Sequence, residues 1–141
     1  IKCAKGGIIG LIAQAHNGIL HFLIQARFEA GFIDTVELAP TVQYSPKNYL
    51  DSENIQSPFF AEYFEKNTNY ELLVDTYLSN EGGRFYKSEN QHIVIKVPEK
   101  EEIELKAGYQ WMTLSQLYHF GSMELTLNVE LRSLIFCLSL S

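Results

Sequence analysis

The feature that most constrains this chain is a run from Leu20 to Glu29 whose side chains alternate in character with a period of two, directly after the sequence His16-Asn17-Gly18. In extended backbone, neighbouring side chains point to opposite faces. Leu20, Phe22, Ile24, Ala26 and Phe28 therefore share one face, and His21, Leu23, Gln25, Arg27 and Glu29 share the other. Asn-Gly suits a two-residue hairpin turn because both of its residues accept positive φ. A hairpin over residues 10–29 follows, with one face made for a core and the other rich in groups that bind ligands and transfer protons.

Residues 35–43 form a further extended segment interrupted at Pro40, which has no N–H to give a ladder. After a loop over 44–56, Ser57 precedes Pro58 as an N-cap precedes a first-turn proline, so a short helix is predicted over 58–66, burying Phe60, Tyr63 and Phe64. Strands are expected over 70–78, 83–87 and 91–97, separated by the turn-like Asn80-Glu81-Gly82 and Ser88-Glu89-Asn90. The charged stretch 98–106 reads as solvated surface without functional weight. Thr113-Leu114-Ser115-Gln116 fits a capping box, with Met112 and Leu117 as its hydrophobic staple, and starts a helix that runs to about Phe120. After a short extended piece, Asn128 caps a last helix in which Leu131, Ile135 and Leu138 share a face. The rest of that helix, Phe136 included, is apolar too, and a helix apolar all round calls for cover by another subunit or domain. Strands early and helices late describe an α+β fold with a mixed sheet.

With 141 residues, 46% of them apolar, the chain has the means for one packed domain over 1–141. A net charge of -6 sets it against polyanions, so nucleic acid is excluded as a partner while one small phosphorylated ligand is not. Cys3 and Cys137 form no close-spaced pair and fit reduced thiols in the cytoplasm. His16, His21, His92 and His119 lack metal-ligand spacing, and neither a Gly-x-Ser-x-Gly elbow nor a Gly-rich phosphate loop occurs. No metal or cofactor is expected. No apolar run is long enough to span a bilayer. The first methionine is Met112, which fits a piece of a longer polypeptide.

Several blocks carry a family resemblance: Phe22-Leu23-Ile24-Gln25-Ala26-Arg27-Phe28-Glu29, then Glu37-Leu38-Ala39-Pro40-Thr41-Val42-Gln43 and Asn48-Tyr49. Three more follow: Glu81-Gly82-Gly83-Arg84-Phe85-Tyr86, Trp111-Met112-Thr113-Leu114-Ser115-Gln116-Leu117, and Asn128 with Arg132-Ser133-Leu134 and Cys137. In this order the chain resembles the NDP-hexose 2,3-dehydratase family. The departures are Arg27 where Lys is common, Ala30 where Pro is usual, and Phe32 and Gln91 where Asn and Arg are usual. The resemblance implies a Nudix-like mixed sheet sandwiched with a few short helices. It also implies one of two modules in a longer chain, in wording closer to the second; the apolar last helix adds the expectation of a homodimer. The implied reaction is loss of water across C2–C3 of a dTDP-4-keto-6-deoxyhexose in deoxysugar biosynthesis. The C4 ketone acidifies the C3 hydrogen, so a base, a donor to the developing enolate and an acid for the leaving hydroxyl suffice. Nudix hydrolases, by contrast, hold Mg²⁺ on a Glu cluster around an Arg-Glu pair. No Arg-Glu dipeptide occurs here, which disfavours pyrophosphate hydrolysis.

Candidate roles follow from side-chain chemistry. Glu29 and His21 are the candidates to take the C3 proton; their plainer roles are an ion pair and a hydrogen-bonded sheet histidine. Tyr49 or Tyr86 would donate to the ketone oxygen, or else simply pack. Arg27 and Arg84 would fork onto the diphosphate, or else form surface ion pairs. Gln25 lies in the same polar row as Arg27. Thr41, Gln43 and Asn48 would read sugar hydroxyls or the base, or else make turn and edge hydrogen bonds. Trp111 reads as core in preference to a stacking partner for thymine. The alternative to an enzymatic module is a noncatalytic nucleotide-sugar-binding or dimerisation module.

Overall fold

The computed structural model describes residues 7–29, 35–44, 59–65, 68–79, 89–121 and 126–140, with backbone alone at 28, 29, 35, 79, 89, 120, 121 and 126. Strands β1 (Ile8–His16) and β2 (Ile19–Glu29) form the expected antiparallel hairpin, closed at His16↔Ile19. Asn17 and Gly18 have φ of 56° and 81°, which is what selects Asn-Gly there.

The hairpin does not stay closed. β2 pairs with β1 only as far as Phe22, and from Gln25 onward the same edge pairs with β3 (Thr35–Ala39). β1 meanwhile pairs through Ile8–Gly10 with β4 (Val42–Tyr44). Thr41 fills the fork. Its hydroxyl accepts from Ile12 N–H at 3.0 Å and donates to the Leu23 carbonyl at 2.6 Å, serving two backbone groups that the divergence would leave buried and unmet.

Four further strands complete one mixed sheet. β5 (Glu71–Ser79) pairs antiparallel with β6 (Glu89–Val97), which runs parallel to β1 from Ile8↔Gln91 to Gln14↔Val97. β7 (Tyr109–Thr113) pairs antiparallel with the other edge of β2, and β8 (Thr126–Leu127) lies parallel to β3. The path across the sheet is β5-β6-β1-β2-β3-β8, with β4 on β1 and β7 on β2.

Helices α1 (Leu114–Gly121) and α2 (Val129–Leu140) cover one face. The capping box forms as predicted: Thr113 N–H donates to Gln116 Oε1 at 2.9 Å and Gln116 N–H to Thr113 Oγ1 at 3.1 Å, while Met112 and Leu117 are buried. Asn128 Oδ1 accepts from Leu131 N–H at 2.9 Å and caps α2. Phe22, Ile24, Leu117, Leu131 and Leu134 meet in the core of this helix face. The opposite face, here the loop face, has its own core of Ile12, Leu23, Val42, Phe60, Phe64, Ile93 and Ile95.

Three expectations are corrected. The helix over 58–66 is a single 3-10 turn, Ala61–Phe64, entered through Phe60 at φ 71° without a side-chain cap; Ser57 and Pro58 lie outside the described residues. Its anchor is aromatic burial: Phe64 packs so close to β1 that a Cβ on Gly10 would sit 2.5 Å from its ring. β7 was not expected, because five residues ahead of a helix start give too short a pattern to read. Residues 98–106 are not mere solvated surface. Gln14 Nε2 donates to the Pro98 and Glu101 carbonyls at 2.8 and 2.6 Å, Tyr70 donates to Glu101 Oε2 at 2.6 Å, and Ile103 packs against the loop-face core. The strand predicted over 83–87 lies outside the described residues.

Candidate functional site

The polar row of β2 faces away from the helices, but Leu23 is fully buried within it and divides it in two. His21 stands at the hairpin end and Gln25 and Arg27 at the other. Six residues of extended backbone separate His21 from Arg27, about 20 Å.

At the hairpin end most polar groups find partners within the protein. Gln14 is buried, and because its amide nitrogen serves two carbonyls, its oxygen is the acceptor that faces His16 Nε2 at 2.9 Å. His16 therefore carries its hydrogen on Nε2. His21 Nδ1 contacts the Ile19 carbonyl at 2.8 Å and must donate, which leaves the lone pair of the neutral ring on Nε2. The two rings stack at 4.8 Å, and Trp111 meets His16 edge-on at 4.6 Å while packing against the core. Burial first, then the charge of His21, lowers the His16 pKa below its usual value; Glu99 opposes this. Tyr70 is pushed up to about 12 by burial and by its bond to Glu101, so it acts as a fixed donor.

The other end is built from β2 and β7. Ala26 N–H donates to the Gly108 carbonyl at 2.8 Å, Gly108 takes φ 86°, and Tyr109 then pairs in register with Gln25. Tyr109 thus lies diagonal to Arg27 on the same face. Its ring meets buried Phe60 edge-on at 4.9 Å. Burial raises its phenol above the usual range while the positive charge of Arg27 draws it back. Arg27 stands opposite Glu37 across β2 and β3, yet among the described residues the one ion pair is Lys106–Glu104, at 3.8 Å. A half-buried guanidinium and a phenol side by side can bind an anion and donate to an oxygen that gains charge.

The remaining predicted residues divide. Thr41 is fully buried with its hydroxyl committed to the fork, so it belongs to the fold and not to a ligand surface. Gln43 pairs with Ile9, on the helix face, and its side-chain oxygen accepts from Asn128 Nδ2 at 3.3 Å. It supports the cap of α2 and is not brought to Arg27. Glu29 pairs through its backbone with Thr35; its side chain lies outside the described residues, as do Asn48, Tyr49, Arg84 and Tyr86. The strand ends flanking those segments gather at the Arg27 end of the sheet, as the pairs Ile8↔Tyr44, Ile8↔Gln91 and Ser79↔Glu89 show. Sequence reasoning missed Tyr109, whose signal was the Gly108-Tyr109 turn into a short alternating strand.

An apolar groove of about 710 Å³ lies elsewhere, between β5 and α2, and its lining includes Leu73, Leu78, Val129, Phe136 and Leu140. Gln25 and Arg27 do not line it. Among the described residues no three His, Cys, Asp or Glu side chains gather as metal ligands would, and no helix is long and apolar enough to cross a membrane.

Comparison with known proteins gives this geometry a context. The sequence model of the NDP-hexose 2,3-dehydratase family matches residues 1–138. The chain is 36% identical over 131 residues to a dTDP-4-dehydro-6-deoxy-alpha-D-glucopyranose 2,3-dehydratase of Streptomyces violaceoruber, covering 93% of this chain and 29% of that protein. It is 30% identical over 138 residues to one of Saccharopolyspora spinosa, covering 98% of this chain and 28% of that protein. The chain thus spans less than a third of these relatives. Its fold is similar to a C. elegans Ap4A hydrolase, with TM-score 0.53, 14% identity and 98% of both chains covered. A Nudix hydrolase of M. smegmatis, RenU, gives TM-score 0.51 at 14% identity, with 99% of this chain and 86% of that chain covered. At such identities the likeness establishes the fold, which is Nudix-like, and nothing further.

Proposed function

The chain belongs to the NDP-hexose 2,3-dehydratase family, and from that premise we propose that it is one Nudix-like module of a longer, two-module dTDP-4-keto-6-deoxyhexose 2,3-dehydratase. The observation that carries this reading is Arg27: a half-buried guanidinium, diagonal to the Tyr109 phenol and without a carboxylate partner among the described residues. Such a group suits a diphosphate.

In the proposed reaction the C3–H bond is broken by a base, the electrons are held as an enolate on the C4 oxygen, and the C2–O bond then breaks as an acid protonates the departing hydroxyl. The enol product tautomerises to the 3,4-diketo-2,6-dideoxy sugar. Glu29 stands two positions beyond Arg27 on β2 and is our base. His21 has a suitable tautomer but lies about 20 Å from Arg27 behind Leu23, so it ranks second. Tyr49 and Tyr86 are proposed as donors to the ketone oxygen, Arg84 as a second grip on the diphosphate, and Gln25 and Asn48 as contacts to the sugar. Glu29→Gln is expected to cut turnover of a dTDP-4-keto-6-deoxyhexose by about a hundredfold or more, as for loss of a general base, while leaving dTDP affinity within about twofold. Equal losses in both would remove Glu29 as the base.

One observation favours a second reading, a noncatalytic binding or assembly module. Val129, Phe136 and Leu140 are 61, 63 and 70% exposed on α2, beside the apolar groove, and a second module or a second copy would cover them. Turnover only in the full-length protein, with dTDP binding in both forms, would support that reading over the first.

A further inference from the structure

We infer that Phe59, Lys106 and Tyr109 complete, with Arg27, a site for the nucleoside diphosphate half of the substrate, in which the nucleobase stacks on Phe59. The inference rests on the nucleotide-sugar reading above and assigns the residues that would hold that ligand. None of these three belongs to the blocks that carry the family resemblance.

Phe59 is a large aromatic ring left 56% exposed at the edge of the loop face. It has a firm base, since it meets Tyr109 edge-on at 6.5 Å and Tyr109 in turn meets buried Phe60. Lys106 Nζ lies 5.4 Å from the centroid of the Phe59 ring, so its charge is held at the aromatic surface. Its carboxylate partner Glu104 is 85% exposed and 3.8 Å away, a contact that a phosphate can displace at little cost. Tyr109, in register with Gln25, bridges from Phe59 to Arg27 along the same face. The order is then an exposed ring, a cation over it, a half-buried phenol and a guanidinium. A nucleoside diphosphate presents a matching order, with a flat base at one end and two charged phosphates beyond it. In a chain of net charge -6, two cations and a phenol around one exposed ring also focus positive potential where an anion needs it.

The test is calorimetric binding of dTDP and of inorganic pyrophosphate to the protein and to Phe59→Ala, Lys106→Ala and Tyr109→Phe, with circular dichroism melts as a check on folding. Phe59→Ala is expected to weaken dTDP about tenfold, the scale of losing a base-stacking ring, and to leave pyrophosphate unchanged. Lys106→Ala should weaken both ligands by about threefold, and Tyr109→Phe dTDP by about the same factor. If the protein binds dTDP and Phe59→Ala binds it equally well, the inference fails while the dehydratase reading stands. If the protein binds no dTDP at millimolar concentration, on the order of the weakest useful affinity, both fail together.

Discussion

The two ends of the loop face are built from the same alternating strand and have opposite fates. At the hairpin end, the Gln14 amide, His16 Nε2 and His21 Nδ1 are spent on one another and on backbone carbonyls. At the other end, the Arg27 and Tyr109 side chains adjoin without a carboxylate or hydrogen-bond partner among the described residues, and an exposed aromatic ring lies beside them. Polar groups that hold each other rigidify a fold, whereas polar groups left facing outward have capacity for a ligand. Which end binds cannot be read from residue type, because histidine and glutamine are as suited to chemistry as arginine and tyrosine.

The two ends differ most at Gln14. Gln14→Leu strands the Pro98 and Glu101 carbonyls and the His16 N–H, and should cost about 3 kcal/mol in urea denaturation. The folded fraction should still bind dTDP normally; a parallel loss of affinity would show that the two ends are coupled. Arg27→Ala should behave in the reverse sense, weakening dTDP by about tenfold to a hundredfold with a melting temperature near that of the parent. A large fall in melting temperature would place Arg27 with the structural residues.

The smallest effect is that of pH. His16 is held below its ordinary pKa of 6.5 chiefly by burial, and so is His92, although the Asn90 carbonyl and Glu130 draw His92 back. The folded state then binds fewer protons than the unfolded one near neutrality. This stability is present above about pH 6.5 and is lost as pH falls through the lowered folded values. The urea midpoint should fall between pH 7.5 and 5.5, and His16→Gln, which keeps a donor for Gln14, should flatten part of that slope. A midpoint independent of pH, or rising with acid, would contradict the assignment.

Much of the fold was legible because it obeys local rules. Asn17-Gly18 announces its positive φ, Thr113 and Gln116 announce a reciprocal cap, and Asn128 announces the start of α2. The rest depends on contacts between distant parts of the chain. Thr41 and Gln43 look like ligand contacts at a proline-interrupted strand end, but the fork between β1 and β2 claims one and the cap of α2 claims the other. The charge of residues 98–106 concealed that their backbone carbonyls anchor Gln14 and that Lys106 meets Phe59. Within the candidate site, the pattern placed Gln25 and Arg27 on one face but could not reveal that Leu23 would sever them from His21.

The parallel pairing of β1 with β6 bears on how the molecule comes into being. Gly7 and Asn90, which meet beside this seam, stand 83 positions apart, and β1 between them holds Leu11, Ile12 and Ala13 fully buried. Contacts of such long sequence separation form slowly, because the intervening chain must first surrender its freedom. During synthesis this apolar strand emerges well before β6 and waits for that partner until the intervening residues have followed. In that interval it is a segment in need of protection from aggregation.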